Sequence, residues 1–170
     1  MDESRDSIRA EASLPYGGLR VSSSRGGADI WRLGRGVVVI RLFGNGSSAF
    51  VKPIASAFTA AVEQGHLVRL FFEVAELVTY DSALRAELTA VFKASRPRID
   101  CFHVLVASQI TAMGASVASL ALGGIIVSHT QREQFLEQLD KALSASSAVG
   151  VSAKALLEPT RESSRPRDIR

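Results

Sequence analysis

The chain has 170 residues, 46% hydrophobic and 22% charged, the length and balance of one globular domain. Its net charge is only +3, too mild for a nucleic-acid binder, and most of the excess lies in residues 148–170. The single cysteine, Cys101, excludes an intrachain disulfide and a cysteine zinc site; no run of about 18 apolar residues is present to insert in a membrane, and the acidic N-terminus lacks the apolar core of a secretory signal, so the expected compartment is the cytoplasm.

Residues 1–27 mix Ser, Gly and charges without apolar periodicity, so a flexible N-terminal segment is expected there, and a flexible tail over 148–170. The folded domain is expected over 28–147. Ile30–Leu33 and Val37–Phe43 are short apolar runs around Gly34-Arg35-Gly36, which predicts a β-hairpin. Gly44-Asn45-Gly46-Ser47-Ser48 reads as a loop. Val51, Ile54, Phe58 and Val62 share one face of a helix over 50–64, with Pro53 in its first turn and Gly65 as its C-terminal stop. Residues 67–74 form a nearly continuous apolar strand, as expected for a strand covered on both faces. A short link then leads to a helix from Asp81 to about Ser95, with Leu84, Leu88, Val91 and Phe92 on one face. Residues 102–107 are the next strand. Ile110, Met113, Val117 and Leu120 mark the buried face of the following helix. Ile125–Ser128 is a short strand, and Phe135, Leu136, Leu139 and Leu143 lie on a last helix over about 130–145.

The order is ββαβαβαβα, an α/β domain. It predicts a mostly parallel sheet with an N-terminal hairpin and helices mainly on one face. Ligands and partners of such sheets dock at the carboxyl ends of the strands. Two segments meet that description, the loop 44–49 and the junction 75–82. In the second, Asp81 or Thr79 suits the N-cap of the helix. Ser82 follows in its first turn, where a phosphate would meet free N–H groups and the positive end of the helix dipole.

Over 28–147 the element order, with an acidic strand residue, Glu73, followed eight residues later by Asp81-Ser82, resembles the STAS family of sulfate-transporter and anti-sigma-factor-antagonist domains, in its divergent STAS-like branch. The family pattern runs Asp-Ser-Ser-Gly-Leu. Aligned without a gap, Ala83 falls on the phosphorylated serine and Leu84 on the glycine. With one residue deleted, Ser82 takes the phosphoacceptor place and Leu84 matches the leucine; the glycine is missing either way. The resemblance implies a non-enzymatic regulatory domain that binds a protein partner, of the kinase-type anti-sigma-factor kind in that family. The partner-binding candidates are Ser47, Ser48, Leu77, Val78, Tyr80, Asp81 and Arg85, with Ser82 as candidate phosphoacceptor. Asp81 and Arg85 also have the i,i+4 spacing of an ion pair. The alternative is a small-molecule or lipid-binding module of the same fold, with the ligand sheltered between the second and third helices and the sheet.

Other chemistry finds little support. His66, His103 and His129 lack metal-ligand spacing, so no metal or cofactor is expected. Cys101 suits a small core hydrophobe. Loop 44–48 sits where a phosphate loop would, but lacks the Gly-Lys-Ser/Thr ending. There is no Gly-x-Ser-x-Gly elbow. Trp31 is expected to pack against the sheet, and the free edge of the hairpin offers a route to a homodimer.

Overall fold

A computed structural model describes residues 7–158. Residues 1–6 and 159–170, parts of the two expected flexible segments, lie outside the described residues. Residues 10–22 correct the expectation of an unstructured N-terminal segment. They form two strands, β1 (Ala10–Leu14) and β2 (Gly18–Ser22), paired antiparallel. Their sequence hides this because β1 is solvent-exposed for almost its whole length and has no apolar alternation. Tertiary contacts hold the segment instead. Val21 is fully buried. The Trp31 indole Nε1 donates to the Pro15 carbonyl at 3.0 Å. Gly18 lies under the same ring, where a Cβ would stand 2.2 Å from Nε1.

β2 pairs with β3 (Gly26–Leu33), and β3 with β4 (Val37–Gly46), both antiparallel. The expected hairpin is therefore present, but its edge is not free: β2 covers it, so the homodimer route through that edge is closed. Gly34 and Gly36 turn the hairpin at φ +49° and +80°, values a side chain disfavours. From β4 onward the chain alternates through α1 (Val51–Glu63), β5 (Val68–Tyr80), α2 (Ser82–Ala94), β6 (Ile99–Leu105), α3 (Gln109–Ala121), β7 (Ile126–His129) and α4 (Arg132–Ala145). Strands β4 to β7 pair in parallel, and all seven strands lie in chain order in one sheet. A short helix, α5 (Ala153–Leu157), follows. It falls in the expected flexible tail and corrects it: Ala153, Leu156 and Leu157 are buried.

The sheet separates two cores. On one face Ile40, Leu70, Phe72 and Val104 meet Ile54 and Phe58 of α1, Leu84, Leu88 and Phe92 of α2, and Ala115 of α3. On the other, Val39, Phe71 and Leu105 meet Phe135, Leu139 and Leu143 of α4 and Leu156 and Leu157 of α5. The three crossover helices share a face because consecutive strands are neighbours. The helix α4 follows the last strand, joins no parallel pair, and is free to take the opposite face. Residues 75–80, expected as a link, are strand: β4 runs on to Gly46 and supplies β5 with a partner as far as Gly46 opposite Tyr80, across two register shifts.

Candidate functional site

The junction between β5 and α2 and the loop after β4 meet at Asp81. Its side chain caps α2 by accepting from the Leu84 N–H. Its other carboxylate oxygen accepts from the Ser48 N–H at 2.8 Å. Its own N–H donates to the Gly46 carbonyl at 3.0 Å. One residue thus fastens both segments that the sequence singles out. Gly46 is required by the fit, since a Cβ there would stand 2.7 Å from Leu84.

The candidate residues divide. Ser48 and Tyr80 are half-buried, while Asp81 and Ser82 are exposed. Val78 is 69% exposed. Ser82 is the first residue of α2. Leu77 is a correction: it is buried in the core beneath α2 and offers nothing to a partner. Ser47 is buried too, and its hydroxyl oxygen accepts from the Ala49 N–H at 3.2 Å. Asp81 and Arg85 form no ion pair, because the carboxylate is committed to the cap and to Ser48. Instead Arg85 lines a cavity between α2, α3 and the sheet.

Helix α3 reverses the expected face. Ile110, Met113, Val117 and Leu120 are 52%, 62%, 50% and 84% exposed. The small residues turn inward: Ala115 is buried, and Gly114, Ala115 and Ala118 line the cavity. Helix α3 is apolar on both faces, so periodicity alone does not say which one is inside. A Cβ on Gly114 would stand 2.4 Å from the Tyr80 hydroxyl, so the glycine lets that ring lie against the helix. The cavity has a volume of about 110 Å³ and an almost wholly apolar lining.

A second cluster, on the α4 face, was not legible from spacing. His103 Nδ1 and His129 Nε2 lie 2.8 Å apart. The His103 ring stacks on Phe71, and the His129 ring meets Phe135 edge-on. Burial lowers both imidazole pKa values, and the charge of His129 lowers that of His103 further. Nearby, buried Glu73 is pushed above the usual carboxylate range by loss of solvation, against the pull of Arg132 and Arg41. Its Oε1 lies 3.8 Å from the Arg132 guanidinium and accepts from the Ala75 N–H at 3.2 Å. Glu73, the acidic strand residue of the family-like pattern, therefore faces away from Ser82. Asp29, fully buried, accepts from Arg20 at 2.6 and 2.8 Å and from Arg41 Nε at 2.9 Å. Arg41 and Arg132 both donate to the Leu157 carbonyl, at 3.3 and 2.8 Å. Among the described residues no three His, Cys, Asp or Glu side chains are grouped to hold a metal ion. Cys101 is half-buried on β6, and burial pushes its thiol up to about 11. No helix among the described residues is long and apolar enough to cross a membrane.

No family model matches the chain, and no curated protein matches it in sequence. Solved structures do match. The unphosphorylated form of the anti-sigma factor antagonist SpoIIAA superposes with a TM-score of 0.51 at 20% identity, over 68% of this chain and 95% of that one. An uncharacterised protein with a SpoIIAA-like fold from Shewanella loihica superposes with a TM-score of 0.51 at 12% identity, over 69% of this chain and 98% of that one. With the parallel β4–β7 sheet and its interleaved helices, these likenesses identify the fold as that of a STAS-like domain.

Proposed function

We propose that this chain is a cytoplasmic regulatory domain that binds a protein partner and catalyses no reaction of its own. The observation that carries the reading is the double role of Asp81, which joins the segment after β4 to the start of α2, where Ser82 stands exposed. The exposed stripe of α3, the helix packed next to α2, adds an apolar area of its own. Contiguous exposed apolar residues of this kind mark interaction surfaces. The likeness to an anti-sigma factor antagonist supports an anti-sigma factor as the partner class, of the kinase type that the family resemblance implies. Ser82 is the phosphoacceptor in this reading. A phosphate there would add nearly two negative charges to the contact surface while being favoured by the helix N-terminus.

The test is affinity capture with the full chain from its own cell extract, with phosphosites mapped by mass spectrometry. A kinase-like partner, phosphate on Ser82, and at least tenfold weaker binding by Ser82→Glu are expected. A stable partner that binds Ser82→Glu unchanged would remove the switch and leave the binding role. Absence of any specific protein partner would remove both.

A further inference from the structure

We infer that the outer face of α3 is the seam of a homodimer, covered in solution by the same face of a second copy. Ile110, Met113, Val117 and Leu120 are each half or more exposed. At the turn of an α-helix these four positions fall within an arc of about 80°, one stripe along its length. Their spacing of three, four and three residues is that of the a and d positions of a coiled-coil seam, whose side chains fit between those of a facing helix. The helix meanwhile spends its small residues inside, with Ala115 buried and Gly114 and Ala118 lining the cavity beneath. A helix that faces water alone would gain by exchanging the two faces; a helix packed on both sides would not.

Charge selects the occupant. Residues 101–131, α3 included, carry no Asp, Glu, Lys or Arg, in a chain that is 22% charged. The exposed flanks of the stripe are Gln109, Ser116 and Ala121, and the Ser116 hydroxyl already donates to the Ala112 carbonyl at 3.0 Å. A helix that lies on a membrane carries Lys or Arg along its polar face, and unlike proteins select one another through complementary charge. This face offers neither. A second copy brings an identical uncharged stripe: about a two-fold axis the surface meets itself, with no like charges opposed and none taken out of water. The area suffices as well. The four side chains leave about 500 Å² exposed, so two copies bury about 1,000 Å² through the stripe alone, the threshold for a specific though weak interface. The seam goes beyond the partner reading and does not depend on it, since the purified chain alone tests it.

The experiment is analytical ultracentrifugation of the full chain. A reversible monomer–dimer equilibrium is expected, half dissociated between about 1 and 100 µM, the weak range of an interface this small. Met113→Glu and Leu120→Glu each bring a carboxylate onto the seam and are expected to raise the dissociation constant at least tenfold, with unchanged circular dichroism spectra showing that the fold survives. Leu67→Glu, the same change at an exposed apolar residue outside α3, is expected to leave it at the parent value. A chain that stays monomeric at about 100 µM would overturn the inference. So would a dimer that either α3 variant leaves at parent affinity, which would move the contact elsewhere, such as the outer edge of β7, the last strand of the sheet. Binding of the monomer to phosphatidylcholine vesicles, lost in Leu120→Glu, would give the face to lipid and would overturn it as well.

Discussion

The Asp81 carboxylate accepts from the Ser48 N–H at 2.8 Å, across 33 residues of sequence, while capping its own helix. One side chain thus sets the distance between two loops that would otherwise drift independently. Asp81→Ala is expected to lower stability by about 1–2 kcal/mol, the upper part of the range for a lost N-cap. Asp81→Ser retains the cap but is too short for Ser48, and is expected to recover part of that loss. Urea unfolding of the three proteins measures both steps. Hydrogen exchange should show faster exchange at Ser48 in both variants.

The histidine pair makes stability depend on pH. Both imidazoles have native pKa values below the ordinary 6.5. Near pH 6 the unfolded chain therefore binds more protons than the native one, and stability rises with pH through this window. The contribution is complete above about pH 6.5 and is lost as pH falls through the lowered native values. Tm measured from pH 7.5 to 5 is expected to fall, and His103→Phe with His129→Leu to flatten that fall. An equally steep profile in the double variant would place the proton uptake elsewhere.

Asp29 is fully buried between two guanidinium groups. Asp29→Ala leaves two cations without a counter-charge, and breaking one side of a buried ion network costs about 3–5 kcal/mol. The loss is expected to release β2 first, since Arg20 lies there and Arg41 keeps a second bond to the Leu157 carbonyl. Limited proteolysis should therefore cut within residues 10–22 in the variant and spare the same segment in the parent.

The exposed stripe of α3 and the buried face of α4 give opposite expectations. Met113→Glu and Leu120→Glu change exposed positions and are expected to shift stability by less than about 0.5 kcal/mol. Phe135→Ala, in the opposite core, is expected to cost about 3–5 kcal/mol. If the α3 stripe contacts a partner, the two glutamate variants lose capture while remaining folded. Denaturant midpoints and pull-down yields, measured on the same preparations, separate the effects.

Much of this was readable beforehand. The Gly34-Arg35-Gly36 turn, the apolar faces of α1, α2 and α4, and the Asp81 cap all appear where the sequence places them. Each depends on local chemistry: a backbone angle only glycine favours, a 3.6-residue repeat, an oxygen at a helix start. What escaped depends on partners distant in sequence. The strand β1 has no apolar signal because β2 is its only neighbour in the sheet. On α3 the larger apolar residues point outward and the alanines inward, so side-chain size misdirects the assignment of faces. His103 and His129 meet because β6 and β7 lie side by side with His103 opposite Val127, two residues before His129. No linear spacing encodes that register. Leu77 and Ser47 looked available to a partner because they flank a loop, but the strand carrying Leu77 continues and turns it inward.

The grip of Arg41 and Arg132 on the Leu157 carbonyl has a practical consequence. It anchors the end of α5 to the α4 side of the sheet, with the full thickness of the sheet between it and Ser82. A fluorophore or purification handle appended beyond that anchor would leave from the rear of the domain. Such a reporter is expected to leave the Ser82 surface unobstructed, so that partner binding can be assayed on the labelled protein.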